Sequence, residues 1–149
     1  MIKLRHLPHY FLAFLLLVLL VLEIWTWYLG TADVTFKRLV GSAPYPQIRD
    51  LSLRRYKESP ISPHLFTITT KDEKSVLQRL GSDCNLGTIR FERLPDVVGE
   101  VDEEMVDVIQ KSPYIYLSKT YDLQHPKEGR MCLVFRDQKH IYLFMNGNL

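Results

Sequence analysis

A run of apolar residues near the N-terminus limits the possible folds more than any other feature of the chain. Residues 10–22 contain no charged side chain, and Glu23 is the only charge between Leu7 and Leu29. A helix needs about 20 apolar residues to cross the hydrocarbon core of a bilayer, and its backbone groups must bond within the segment. We therefore predict one transmembrane helix over residues 10–29.

Aromatic residues at the end of this helix indicate where the membrane surface lies. Trp25, Trp27 and Tyr28 combine an apolar ring with a polar group, as is typical of residues at the level of the lipid headgroups. Glu23 then lies close to the headgroups instead of at mid-membrane, and its carboxylate is expected to reach them.

The charges that flank the helix give only a small preference for one orientation. Lys3 and Arg5 precede the helix, and Lys37 and Arg38 follow it. The positive-inside rule is therefore nearly balanced. Because the tail of residues 1–9 contains no acid, we place this tail in the cytoplasm and the remainder outside it, at a bacterial inner membrane.

A cleaved signal peptide is the alternative to a permanent anchor. Gly30, Thr31 and Ala32 offer small residues near a cleavage position. However, the apolar region of a signal peptide usually spans about 7–15 residues, and bulky tryptophans fit a cleavage region badly. The length therefore favours an uncleaved signal-anchor.

Residues 30–46 read as a linker, because the stretch from Gly41 to Pro46 contains Gly, Ser and two prolines without periodicity. Residues 47–149 then form one extracytoplasmic domain, large enough for its own core. The formal net charge of the chain is only +2, so it has no basic field that would attract nucleic acid.

Hydrophobic periodicity in this domain predicts a mixed fold. The Thr70–Glu73 capping box begins one helix, which Gly81 ends, and residues 102–111 form a second helix. A connection longer than two residues is expected around 136–139. Strands are predicted over 48–56, 64–70, 88–92, 114–121, 131–135 and 141–145. This arrangement predicts an α+β domain with an antiparallel sheet and two short helices.

The two cysteines, Cys84 and Cys132, fit one disulfide bond if the domain lies outside the cytoplasm. The alternative is two separate buried thiols, since a free cysteine packs as a small apolar residue. Neither residue belongs to a zinc-ligand pattern, and no metal or cofactor is expected.

Signatures of catalysis are weak. The common motifs for acyl transfer, zinc hydrolysis and phosphate binding do not occur in the sequence. An envelope enzyme that uses His64, His125 or His140 with a cysteine or a carboxylate is the alternative to a non-catalytic protein.

Three groups of residues are candidates for binding a partner. Each group also has a plain structural explanation: a helix start favoured by its dipole, a solvated strand face, or ordinary packing of tyrosines in a sheet. The basic group could also meet anionic lipid headgroups. The acidic group is Glu100, Asp102, Glu103 and Glu104, the basic group is Arg54 and Arg55, and the aromatic group is Tyr114 and Tyr116.

These observations predict a membrane-anchored, non-catalytic domain that binds another envelope protein. Such a domain serves either as an accessory subunit of an envelope complex or as an immunity-type inhibitor of a toxin. A sensor of a small ligand is a further alternative, and it predicts a concave apolar pocket.

Overall fold

The computed structural model describes residues 7–56, 63–88, 103–121 and 130–146. It confirms an N-terminal apolar helix followed by an α+β domain with an antiparallel sheet. The elements in chain order are α1 Leu7–Leu29, α2 Ala32–Val40, β1 Ile48–Arg55, β2 His64–Thr70, α3 Glu73–Asp83, β3 Leu86–Thr88, α4 Glu103–Lys111, β4 Tyr116–Ser118, β5 Cys132–Arg136 and β6 Ile141–Met145.

Helix α1 is long and apolar enough to cross a membrane over Tyr10–Leu29, and none of this segment is buried within the protein. Its tryptophans are well exposed, Trp25 at 59% and Trp27 at 75%. Exposing this many apolar side chains to water costs free energy, so the helix requires an apolar environment outside the protein. An anchor and a signal sequence both meet this requirement.

The six strands form one sheet in the order β1-β2-β6-β5-β4-β3, and every neighbouring pair is antiparallel. The register gives the sheet two distinct ends. Arg55 pairs with His64, and the same row continues through Met145 to Cys132. We call this the anchor end, because Arg55 also contacts the residue that follows α1. The opposite row, which contains Arg136, is the far end.

Both faces of the sheet are covered, so the central strands β5 and β6 are almost completely buried. On one face, Phe66 and Leu143 pack with residues from α2 and α3. On the other face, Phe144 packs with Ile109 of α4. Strands covered on both sides lose the alternation of polar and apolar residues, which explains the continuous apolar sequence of β6.

Helix α2 differs from the linker expected over residues 30–46. Phe36, Leu39 and Val40 are buried, and the Phe36 ring packs edge-on against Tyr45 at 5.6 Å and against Phe66 at 5.4 Å. The packed core therefore begins at α2 and not at residue 47. Gly41 has φ +89 and ends the helix, which is a common use of glycine at this position.

Helix α3 also differs from prediction at both of its ends. Asp72 is the N-cap, and its carboxylate accepts a hydrogen bond from the Ser75 amide. The Thr70 hydroxyl instead donates to the Gln47 carbonyl oxygen. The helix continues through Gly81, and the left-handed conformation occurs at Asn85 with φ +48.

Three further predictions are matched only in part. Strand β3 covers the beginning of the region expected at 88–92, whose remaining residues lie outside the described ranges. The first residue of the helix expected over 102–111 also lies outside them. Strand β4 spans only Tyr116–Ser118 of the predicted 114–121. The longer connection between β5 and β6 is confirmed.

Candidate functional site

The turn between β5 and β6 lies at the far end of the sheet and is held by one carboxylate. Asp137 accepts hydrogen bonds from the amides of Lys139 at 2.7 Å and His140 at 2.6 Å. Its other oxygen accepts from the Tyr142 hydroxyl at 2.9 Å and lies 3.4 Å from His140 Nδ1. Partial burial opposes ionisation of this carboxyl, but the hydrogen bonds prevail and lower its pKa to about 2.

A second carboxylate, Glu73 at the start of α3, bonds to the last residue of β5 and to a tyrosine that precedes β4. One oxygen accepts a hydrogen bond from the Tyr114 hydroxyl at 2.8 Å, and the other forms an ion pair with Arg136. Burial, together with this bond to a carboxylate, raises the pKa of Tyr114. The side chains of Glu73 and Arg136 are half-buried, so the pair is better shielded from solvent than a surface ion pair.

Beside this turn is a groove of about 440 Å³, which runs between the last turns of α4 and the β5–β6 connection. Its volume lies within the range that is typical of ligand-binding clefts. Its lining combines apolar side chains with charges of both signs. The lining residues are Asp107, Val108, Lys111, Pro113, Arg136, Asp137 and Gln138.

Several charged groups that line this groove are bonded to protein partners. Asp137 accepts several hydrogen bonds, Arg136 is paired with Glu73, and Lys111 is paired with Asp107 at 2.6 Å. The described residues that line the groove include no Ser, Thr or Cys side chain that could act as a nucleophile. Within the described ranges, no three His, Cys, Asp or Glu side chains are placed to hold a metal ion.

The two predicted histidines that the structure describes lie at opposite ends of the sheet. His140 lies beside Asp137 at the far end of the sheet, whereas His64 lies in the row of the anchor end. His125 is outside the described residues. Within the described part of the chain, the His140–Asp137 contact resembles the base and carboxylate of the enzyme alternative.

The predicted acidic and basic groups meet each other. Arg54 Nη1 lies 4.0 Å from Glu104 Oε2, and both side chains are largely exposed. Exposed pairs of this kind contribute little stability. Glu100 and Asp102 lie outside the described residues, as does the side chain of Glu103.

The other predicted binding residues have structural partners. Arg55 donates to the Gly30 carbonyl oxygen at 2.6 Å and to the Thr35 hydroxyl at 3.1 Å. The ring centroids of Tyr114 and Tyr116 lie 5.0 Å apart with the rings tilted by 32°, and both side chains pack partly buried on the face that carries α2 and α3. Both tyrosines therefore contribute to the packing of the sheet.

The two cysteines are close together at the anchor end and are buried as free thiols. The Cys84 thiol donates a hydrogen bond to Cys132, and this bond together with burial raises the pKa of Cys84. The same bond and the nearby Arg130 guanidinium lower the pKa of Cys132. The proximity expected of a disulfide pair is therefore present, although the sulfur atoms are not bonded.

Sequence reasoning did not select Glu73, Arg136 and Asp137 as site residues. Glu73 precedes Arg136 by 63 positions, so no local motif links them. The only available signal was the charged pair Arg136-Asp137 in the connection between two apolar strands. No family model matches this chain, and the searches of curated proteins and of solved structures found no match either.

Proposed function

We propose that this protein is a membrane-anchored, non-catalytic binding domain, and that the groove beside the β5–β6 turn receives a protein partner. The observation that carries this proposal is the position of the groove. It lies at the far end of the sheet, whereas the apolar helix joins the anchor end. Strand β5 separates the two ends by four residues, or about 13 Å.

We further propose that α1 remains attached as an uncleaved anchor. The residues at the rival cleavage position are part of an ordered junction, where the Gly30 amide donates to the Thr26 and Trp27 carbonyl oxygens. Two residues later α2 begins and packs into the core. The bonded junction between α1 and the packed helix α2 supports retention of α1.

The proposed location is a bacterial inner membrane, with the domain outside the cytoplasm. In that compartment Cys84 and Cys132 are expected to form a disulfide. Both thiols lose a proton, and two electrons pass to an external disulfide, which is reduced to two thiols. Alkylation in intact cells, followed by mass spectrometry, tests this orientation: oxidised cysteines support it, and free thiols throughout the population contradict it.

The partner is expected to be another protein of the envelope. It is either a member of a complex in which this chain is an accessory subunit, or a toxin that this chain inhibits. Because Glu104 and Arg54 partly offset each other's charge, we assign the groove as the main contact and the acidic helix start as a secondary one. A groove with charges of both signs suits a polar protein surface with its own mixed charges.

Site-specific photo-crosslinking in the native membrane tests the assignment. A benzophenone amino acid replaces Gln138, an exposed residue that lines the groove, or Gln78, an exposed residue on α3, in full-length protein. We expect a discrete crosslinked protein from position 138 alone, and its yield should fall when Lys111→Glu is added. Equal products at both positions, or none at 138, would contradict the proposed contact.

A small-ligand sensor is the second candidate, because the groove has the volume of a ligand site. The same crosslinking experiment separates the two functions. A discrete protein product at position 138 favours the binding domain, whereas no protein product, combined with a mass increase of the native protein on gentle isolation, favours the sensor.

A further inference from the structure

The connection between α1 and the domain is too short and too well bonded to act as a flexible tether. Only Gly30 and Thr31 separate α1 from α2. The amide and the hydroxyl of Thr31 both bond to the Tyr28 carbonyl oxygen, at 3.0 and 2.9 Å. Arg55 then joins the Gly30 carbonyl oxygen to the sheet. The domain therefore has a defined position relative to the end of the apolar helix.

Helix α2 is bonded at two positions to the anchor end of the sheet. Near its start, Thr35 accepts a hydrogen bond from Arg55 of β1, the edge strand. Near its end, the Leu39 carbonyl oxygen accepts a hydrogen bond from Arg130, two residues before β5. The two bonded positions are four residues apart, about 6 Å along the helix axis, and the arginine side chains reach them from β1 and from the residue two before β5.

Helical geometry shows which side of α2 faces the apolar helix. Thr35 points towards Arg55 at the anchor end, whereas Phe36 points towards Phe66, which is farther along the sheet. At about 100° per residue, Arg38 projects on the Thr35 side, away from Phe36. Lys37 and Asp33 project on the opposite flank, and all three charged side chains are exposed.

We propose that the surface formed by Val34, Arg38 and Arg55 rests on the headgroups of anionic phospholipids. The domain then contacts the bilayer surface directly and is not separated from it by a flexible linker. The aromatic residues Trp25 and Trp27 place the headgroup level within about two turns of this surface. Arginines that face the headgroups gain from the negative potential of an anionic bilayer, while the acid on this helix, Asp33, lies on the other flank.

Modification of arginine in the native chain tests this proposal without a variant. Full-length protein is placed in nanodiscs of phosphatidylcholine, or of a three-to-one mixture with phosphatidylglycerol, and treated with phenylglyoxal. Peptide mass spectrometry follows Arg38 and, as a control, the exposed Arg49 of β1 in the same sample. Arg38 should react about fivefold more slowly than Arg49 in the anionic nanodiscs, the factor that about 1 kcal/mol per basic residue represents.

The difference between the reaction rates of Arg38 and Arg49 should decrease in phosphatidylcholine alone and when salt screens the surface potential. Equal rates for Arg38 and Arg49 in the anionic discs would overturn the proposal, and equal protection in both bilayers would overturn the choice of anionic lipid. The proposal rests on membrane insertion of α1 but not on the partner groove. Failure of the crosslinking at Gln138 and failure of this protection are therefore independent results.

Discussion

The Arg55 guanidinium donates a 2.6 Å hydrogen bond to the Gly30 carbonyl oxygen and a 3.1 Å bond to the Thr35 hydroxyl. The same side chain therefore joins the edge strand of the sheet to the end of the apolar helix and to the buried side of α2. Thr35 is completely buried, so loss of its partner leaves a polar group without compensation.

We expect Arg55→Met to lower the free energy of unfolding by about 1–2 kcal/mol, because it removes the donor of the buried Thr35 hydroxyl and of the Gly30 carbonyl oxygen. Thermal unfolding in a fixed detergent measures the loss. The matched control is Arg49→Met, which replaces another exposed arginine of the same strand. Equal stability of the two variants would show that the junction does not depend on Arg55.

Two glycines are expected to respond in opposite ways to alanine. Gly41 has φ +89, so Gly41→Ala should destabilise the protein by about 1 kcal/mol through backbone strain alone. Gly81 lies inside α3, and an added methyl group meets nothing within 4 Å, so Gly81→Ala should stabilise by about 0.5–1 kcal/mol. Denaturant midpoints report both changes. A stabilised Gly41→Ala variant would contradict the assigned end of α2.

The Asp137 carboxylate should make stability depend on acid pH. Its pKa is about 2 in the folded protein, below the ordinary value of 3.8. The contribution to stability is therefore complete above the unfolded pKa and is lost as the pH falls from about 4 through about 2. Asp137→Asn should remove this component of acid unfolding and leave the pH dependence near neutrality unchanged. An identical acid profile in the variant would show that other groups are responsible.

Oxidation of the Cys84–Cys132 pair should raise stability markedly. A disulfide here closes a loop of 48 residues, for which the chain-entropy model gives about 4 kcal/mol. We expect oxidised protein to melt at a higher temperature than reduced protein, and either Cys84→Ala or Cys132→Ala to abolish the difference. Unchanged melting after complete oxidation would indicate that bond strain offsets the entropic gain.

The charged contact between α3 and the β5–β6 turn should matter more than the exposed pair of Arg54 and Glu104. Glu73→Gln leaves Tyr114 and Arg136 with a neutral acceptor, and we expect a loss of about 1–2 kcal/mol. Glu104→Gln should change stability by less than about 0.5 kcal/mol. Parallel urea titrations of the two variants compare these losses directly. Similar losses would mean that half-burial gives the Glu73 pair no advantage.

The sequence predicted the elements that depend on local patterns. The apolar helix and the strands β2, β5 and β6 have clear periodicity or apolar runs. The groove was not predictable, because its residues come from α4 and from a turn that meet only through tertiary packing. Helix α2 is hidden for a different reason: its short apolar stripe lies between the apolar helix and a Gly- and Pro-containing segment, whose composition indicates a linker.

The position of β5 and β6 in the centre of the sheet also determines when the chain can fold during synthesis. These strands follow β1 to β4 in the sequence, yet β2 and β4 find their inner neighbours only in them. During synthesis, β2 and β4 therefore leave the ribosome before the strands that pair with their inner edges. The domain can complete its fold only after the residues of β6 have emerged, so a chain that crosses a membrane as it is made would cross it unfolded.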